Sequence, residues 1–134
     1  MAVPSAGGGA TIISLTPAAD YTTKKGYTVT FSSDTATVSN SATVVASGVI
    51  TEGNETTAGY ATEKVSVAMI GAGGTAYVRL SGTVTKGAYI QQSTDGTCVT
   101  DAGSGNRVIV GTALESGVTG ENIRVALGRI YYAS

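Results

Sequence analysis

Apolar and polar residues alternate with a period of two over much of the chain from Tyr27 onward. Tyr27, Val29 and Phe31 alternate with Thr28 and Thr30. Val65, Val67 and Met69 alternate with Ser66 and Ala68, and Ile123, Val125 and Leu127 with Arg124, Ala126 and Gly128. Successive side chains of a strand point to opposite faces, so each run predicts a strand with one buried face. Thr43 to Ile50 and Ala76 to Leu80 predict two more strands. Val108-Ile109-Val110 is apolar on both faces, which suits a central strand or an interface. Thr11 to Thr16 is a short β-prone run, stopped by Pro17 because proline cannot donate to a ladder.

Turn signals separate these runs at short intervals: Ser32-Ser33-Asp34, Glu52-Gly53-Asn54, Gly71-Ala72-Gly73-Gly74, Asp95-Gly96, Gly103-Ser104-Gly105-Asn106 and Gly117 to Gly120. Short strands between Gly-rich turns predict an all-β fold, a small β-barrel or β-sandwich. The best helical candidate, Ala113 to Ser116, is too short to stand alone. No internal repeat is visible. Residues 1–16 read as an extended N-terminal arm and 17–134 as a single β domain. Gly7-Gly8-Gly9 gives the arm flexibility, and Val3-Pro4 favours an extended backbone.

Composition changes this picture in one respect. The 134 residues suffice for one domain and are too few for two comfortable cores. The apolar residues are mostly Ala and Val, with one Phe and seven Tyr. Small side chains bury little area, and burial contributes only about 25 cal/mol per Å². The 19 glycines add to the entropy cost of folding. These terms predict a marginal monomer that gains stability by self-association.

The chemistry available is narrow. There is no His and no Trp, only one Cys, and charged residues make up 13%. Without His the chain lacks the commonest proton carrier near neutral pH, and one Cys cannot build a structural zinc site. Asp95 and Asp101 flank a strand, and Glu52 and Glu55 share a loop; turn chemistry accounts for all four. Cys98 has no His partner and reads as a small buried hydrophobe. Gly71-Ala-Gly-Gly74 lacks the Gly-Lys-Thr/Ser ending of a phosphate loop and reads as a turn. Asn54-Glu55-Thr56 matches a glycosylation sequon by accident, since no signal peptide precedes it. Net charge is −1, and the only adjacent basic pair is Lys24-Lys25, so no nucleic-acid partner is expected. No apolar run approaches the ~20 residues of a membrane span. The expectation is a non-enzymatic protein without metal or cofactor, made in a cytoplasm.

The C-terminal half has a recognisable order. Lys86-Gly87-Ala88-Tyr89-Ile90 enters a strand, Ser93-Thr94-Asp95-Gly96 turns it, and Thr97-Cys98-Val99-Thr100 returns. Gly105 to Glu115 follows, then a Gly-containing spacer and Glu121 to Leu127. Upstream stand Glu63-Lys64-Val65-Ser66-Val67 and Val78-Arg79-Leu80-Ser81-Gly82. This order, over roughly Thr43 to Leu127, resembles the small capsid decoration (cement) proteins of tailed bacteriophages. The resemblance implies a homotrimer on the outer capsid surface of the virion, bound to the major capsid protein and without enzymatic activity. Other readings are a different virion β-domain, such as a head fibre or tail-associated part, and a carbohydrate-binding β-module. The last usually presents exposed aromatic platforms, and this chain has no Trp.

A cement protein bridges subunits through several weak contacts whose avidity multiplies. Within the arm, Val3 and Pro4 offer a compact apolar extended segment, and Ile12, Ile13 and Leu15 can add a strand to an exposed sheet edge. With the Lys24-Lys25 loop they form the candidate capsid contacts. Val108, Ile109, Val110, Tyr131 and Tyr132 are the candidate trimer contacts, since Tyr combines area with a polar tip. A far-UV circular dichroism spectrum of strand type, with almost no helical signal, is the first expected outcome.

Overall fold

The computed structural model describes residues 9–55 and 62–132. Ten strands follow one another: β1 (Ile12–Pro17), β2 (Thr28–Ser32), β3 (Thr35–Val38), β4 (Gly48–Glu52), β5 (Val65–Met69), β6 (Thr75–Arg79), β7 (Tyr89–Gln92), β8 (Cys98–Thr100), β9 (Arg107–Ala113) and β10 (Asn122–Tyr132). The first five close into a barrel in the order β1-β3-β2-β4-β5. The other five form a sheet in the order β6-β10-β9-β7-β8. The all-β expectation holds, and both alternatives are present at once: a barrel with a second sheet packed against it.

The barrel is closed by its first strand. β1 pairs antiparallel with β5, Ile13 opposite Val67, and parallel with β3, Thr16 opposite Thr35. Leu15 points inward and is buried with Val29, Ala36, Ile50, Val65 and Val67. This corrects the arm boundary. Residues 12–17 belong to the barrel wall, where they pair with the facing edges of β3 and β5. Ala10 already packs on the core, so the body of the fold begins before Ile12.

Period-two alternation divides β4 between two cores. Gly48 to Thr51 are all buried. Ile50 points into the barrel, while Val49 points out of it into the layer against the second sheet. β5 does the same, with Val65 and Val67 inward and Ala68 outward. The outer layer is completed by Val78, Ile90, Val110, Ile123 and Val125 from the second sheet. One shared wall thus lets a short chain hold two apolar clusters, which differs from the single core expected from length.

Polar ties fix the two sheets together. Gln92 of β7 is fully buried. Its Oε1 accepts from the Ala46 N–H at 3.1 Å, and its Nε2 donates to the carbonyls of Ser41 and Val44 at 2.8 and 2.6 Å. These bonds hold residues 41–46 as an irregular connection, so the strand expected over Thr43 to Ile50 starts only at Gly48. At the β7–β8 turn, the Gly96 carbonyl accepts from both the N–H and the hydroxyl of Thr28 on β2. Gly96 has φ +87°, and a Cβ there would lie 2.6 Å from Val38 Cγ1, so only glycine lets the turn reach the barrel. Tyr21 plugs the barrel, its hydroxyl accepting from the Val38 N–H at 2.9 Å. The Asn54 amide is buried and holds Tyr21 in turn, accepting from its N–H at 2.7 Å. The Asn54 side chain is therefore committed to the fold.

Residues 113–116 form no helix. Ala113 ends β9, and the residues after it bend. The sole helical element among the described residues is one 3-10 turn at Ile70–Ala72, inside the Gly-rich turn. The Gln92 ties give the next expected outcome. Gln92→Leu keeps the volume but strands one buried N–H and two carbonyls. It should cost roughly 2–4 kcal/mol, read as a lower urea midpoint with an unchanged m-value.

Candidate interaction surface

β10 is eleven residues long, but β6 pairs with it only from Asn122 to Ala126. The Leu127 N–H then donates to the Gly74 carbonyl at 2.8 Å, where the chain turns away. On the opposite side β9 stays paired as far as Tyr132. From Gly128 to Tyr132 the β6-side edge therefore has no strand partner among the described residues. All five residues are exposed, Ile130 at 43% and Tyr131 at 47%. An apolar stretch this open on a strand edge is the part of the molecule most suited to contact.

Two bulges shape the sheet beside it. Between β7 and β9 the register shifts at Ile90/Gln91, and between β9 and β10 at Leu127/Ile130. Bulges bend strands and re-aim side chains. Here they open a depression of about 390 Å³. Gly111, Thr112, Ala126 and Gly128 give it a small-residue floor, and Tyr89 and Ile130 stand at its rim. Its lining includes no carboxylate and no nucleophile beyond hydroxyls, so it offers contact area rather than proton transfer.

The end of β10 is anchored by charge. Arg107 of β9 lies opposite Tyr132, its guanidinium 4.3 Å from the ring centre. The same guanidinium donates to Asp101, and both side chains of this ion pair are mostly buried. Burial pushes the Asp101 carboxyl up. The Arg107 hydrogen bond, the Gly103 N–H and the Arg107 charge outweigh it and hold the carboxyl below the usual range. Asp95 is also held low, first by the Thr97 hydroxyl, against a smaller opposing effect of burial. Each carboxylate serves its own turn. Burial pushes the Cys98 thiol up to about 12, which leaves it unreactive. No three acidic or cysteine side chains gather into a possible metal site among the described residues.

The residues singled out from sequence are scattered. Val3 and Pro4 lie outside the described residues. Ile12, Ile13 and Leu15 are committed to β1, with only Ile12 substantially exposed. Lys24 and Lys25 share the β1–β2 connection. The Lys24 ammonium sits 4.6 Å from the Tyr27 ring centre, and that of Lys25 3.5 Å from Glu52. Val108, Ile109 and Val110 are at most 1% exposed within one chain, so they offer nothing to a partner subunit. Their two-sided apolar character is that of a central strand, since β9 lies third of five. Tyr131 and Tyr132 do reach the surface but on opposite faces, Tyr132 with Ile130 and Arg107, Tyr131 with Arg129. Tyr89 and Ile130 complete the surface. Neither stood out in sequence as a contact residue, although Tyr89 lies in the Lys86-Gly87-Ala88-Tyr89-Ile90 strand entry.

Comparison with known proteins adds one finding. No family profile matches the sequence, and no curated protein matches it. Among solved structures, the fold is similar to the N base of the head fibre protein gp8.5 of bacteriophage phi29. The TM-score is 0.61 at 13% identity, covering 93% of this chain and 99% of that one.

The Asp101 pair sets a pH dependence. A carboxyl depressed in the folded state stabilises it above the ordinary carboxylate pKa, and that contribution disappears as pH falls through the folded value. Stability should therefore drop on acidification below about pH 4. In Asp101→Asn the acid limb of the urea-midpoint-against-pH curve should be flatter, with lower stability at neutral pH.

Proposed function

We propose that the chain is a non-enzymatic structural protein of a tailed-phage virion, seated on the outside of the head as a trimeric base that contacts the major capsid protein. The observation that carries this reading is the fold likeness to a head-fibre base, which runs over nearly the whole of both chains. The sequence order from Lys86 to Leu127 supports it independently, since it resembles exterior head proteins. The surface chemistry agrees. The described residues present an apolar strand edge and a small-residue sheet face.

Function then follows from multivalency. A trimer offers three copies of every capsid-facing contact, and linked weak contacts bind far more tightly than one. Ile130 on one face of β10 and Tyr131 on the other are the exposed residues best placed to bury area between copies, now that Val108 to Val110 are taken up inside the chain. A stable interface needs at least ~1,000 Å². The Lys24-Lys25 loop remains the capsid-facing candidate within the described residues. Head-fibre base and cement protein differ in one consequence: only a cement protein stiffens the shell it sits on.

Purified protein mixed with heads that lack it should bind saturably to their exterior, at positions fixed by capsid symmetry in electron-microscopic reconstructions. Sedimentation equilibrium should give about three times 13.3 kDa. Tyr131→Ser together with Ile130→Ser should shift the species toward 13.3 kDa and weaken head binding at least tenfold. Binding to tails instead of heads would sink the head assignment. A monomer at micromolar concentration would sink the trimer. Unchanged heat resistance of heads without the protein would favour the fibre base over cement.

A further inference from the structure

β6 and β10 turn one face to the core and the other away from it. Ala76 and Val78 of β6 and Ile123 and Val125 of β10 are buried in the outer layer. Alternation therefore puts Tyr77 and Arg79, with Asn122 and Arg124, on the opposite face. The register sets Tyr77 opposite Arg124 and Arg79 opposite Asn122. Arg79 and Arg124 are thus diagonal neighbours, with about 7–8 Å between their backbones. Tyr77 is 38% exposed, Arg124 is exposed and Arg79 is half-buried. Lys25 adds a third cation at the edge. The Gly26 carbonyl accepts from the Arg79 N–H at 2.9 Å, and Asn122 Nδ2 donates to the Lys25 carbonyl at 3.2 Å. The Lys25 ammonium faces Glu52 at 3.5 Å in an exposed and therefore weak pair. The two arginines have no such counter-ion. Neither guanidinium has an ion pair or a hydrogen bond among the described residues. All nine carboxylate side chains of the sequence lie within those residues. No other stretch of the chain therefore holds a carboxylate side chain that could pair with them.

We propose that Arg79, Arg124 and Tyr77 form a docking face for carboxylates on the surface of another protein. Two like charges set diagonally on one sheet face repel each other, and a bound carboxylate relieves that repulsion. A guanidinium can hold a carboxylate through paired N–H bonds, which gives the contact geometry as well as charge. Arg and Tyr are also among the side chains that carry most of the binding energy at protein interfaces. A nucleic acid fits this face less well. It binds through many phosphate contacts in a row, whereas the face offers two arginines and one lysine on a chain of net charge −1. A few discrete carboxylates match that number of cations. This inference goes beyond the virion reading and does not rest on it.

Poly-L-glutamate is the probe, titrated into the full chain at low salt and followed by amide chemical shifts. Amides of Tyr77 to Arg79 and Asn122 to Arg124 should move saturably, and NaCl at about 0.5 M should abolish most of the effect. Arg79→Gln with Arg124→Gln should weaken binding roughly tenfold. The same variant should keep or raise the urea midpoint, because the repulsion between the arginines is gone. Arg124→Gln alone, at the more exposed position, should weaken binding roughly threefold. That single variant decides should the double one fail to fold. Unchanged affinity in the variants overturns the proposal, as does absence of binding or a set of shifts centred on another part of the chain. Oligothymidylate binding more tightly than polyglutamate at equal charge overturns the assignment to protein carboxylates.

Discussion

The double-sided burial of β4 is the constraint on which the rest of the architecture depends. Val49 and Ile50 are neighbours in sequence, yet they serve different cores because a strand sends alternate side chains to opposite faces. A charge at either position would have no exit to water. The gain is economy: a wall used twice lets clusters of mostly Val, Ala and Ile close with Tyr21 buried in the barrel and Phe31 packed against it. Gln92 and Gly96 then fix the angle between barrel and sheet, the first through buried hydrogen bonds and the second by permitting close approach.

Where that packing ends, the contact surface begins. Among the described residues β10 has a strand on both edges only while β6 accompanies it, and beyond that point it runs beside a small-residue depression. Arg107 steadies its far end from Asp101. The surface is therefore a by-product of a length mismatch between two neighbouring strands, stiffened by one ion pair.

Much of this was legible in the sequence, and the failures have physical causes. Runs such as Val65 to Met69 and Ile123 to Leu127 alternate cleanly and form strands where expected. β3 carries little strand signal in the sequence because its inward side chain is Ala36, a single methyl between threonines. The first half of Thr43 to Ile50 has strand propensity, but tertiary bonds to Gln92 hold it irregular. The extension of β10 past Gly128 is hidden because a bulge resets the alternation. Val108 to Val110 showed correctly that both faces are covered, but nothing local says whether a subunit or the same chain does the covering. The Tyr131-Tyr132 pair was legible as surface, whereas its division between two faces needed the strand.

The position of β1 bears on how the molecule is made. The barrel's seam joins residues 12–15 to 65–68, and the second sheet joins residues 75–79 to 122–126. The barrel cluster draws on residues 13–67 alone, but the outer faces of β4 and β5 stay uncovered until residues beyond 120 have left the ribosome. Pairings this distant in sequence form slowly, because chain entropy is lost before contacts compensate. Folding is therefore expected to be a late, nearly all-or-none event. A chain that ends before β10 would leave the outer face of β4, with Val49, open to water, which marks it for proteolysis.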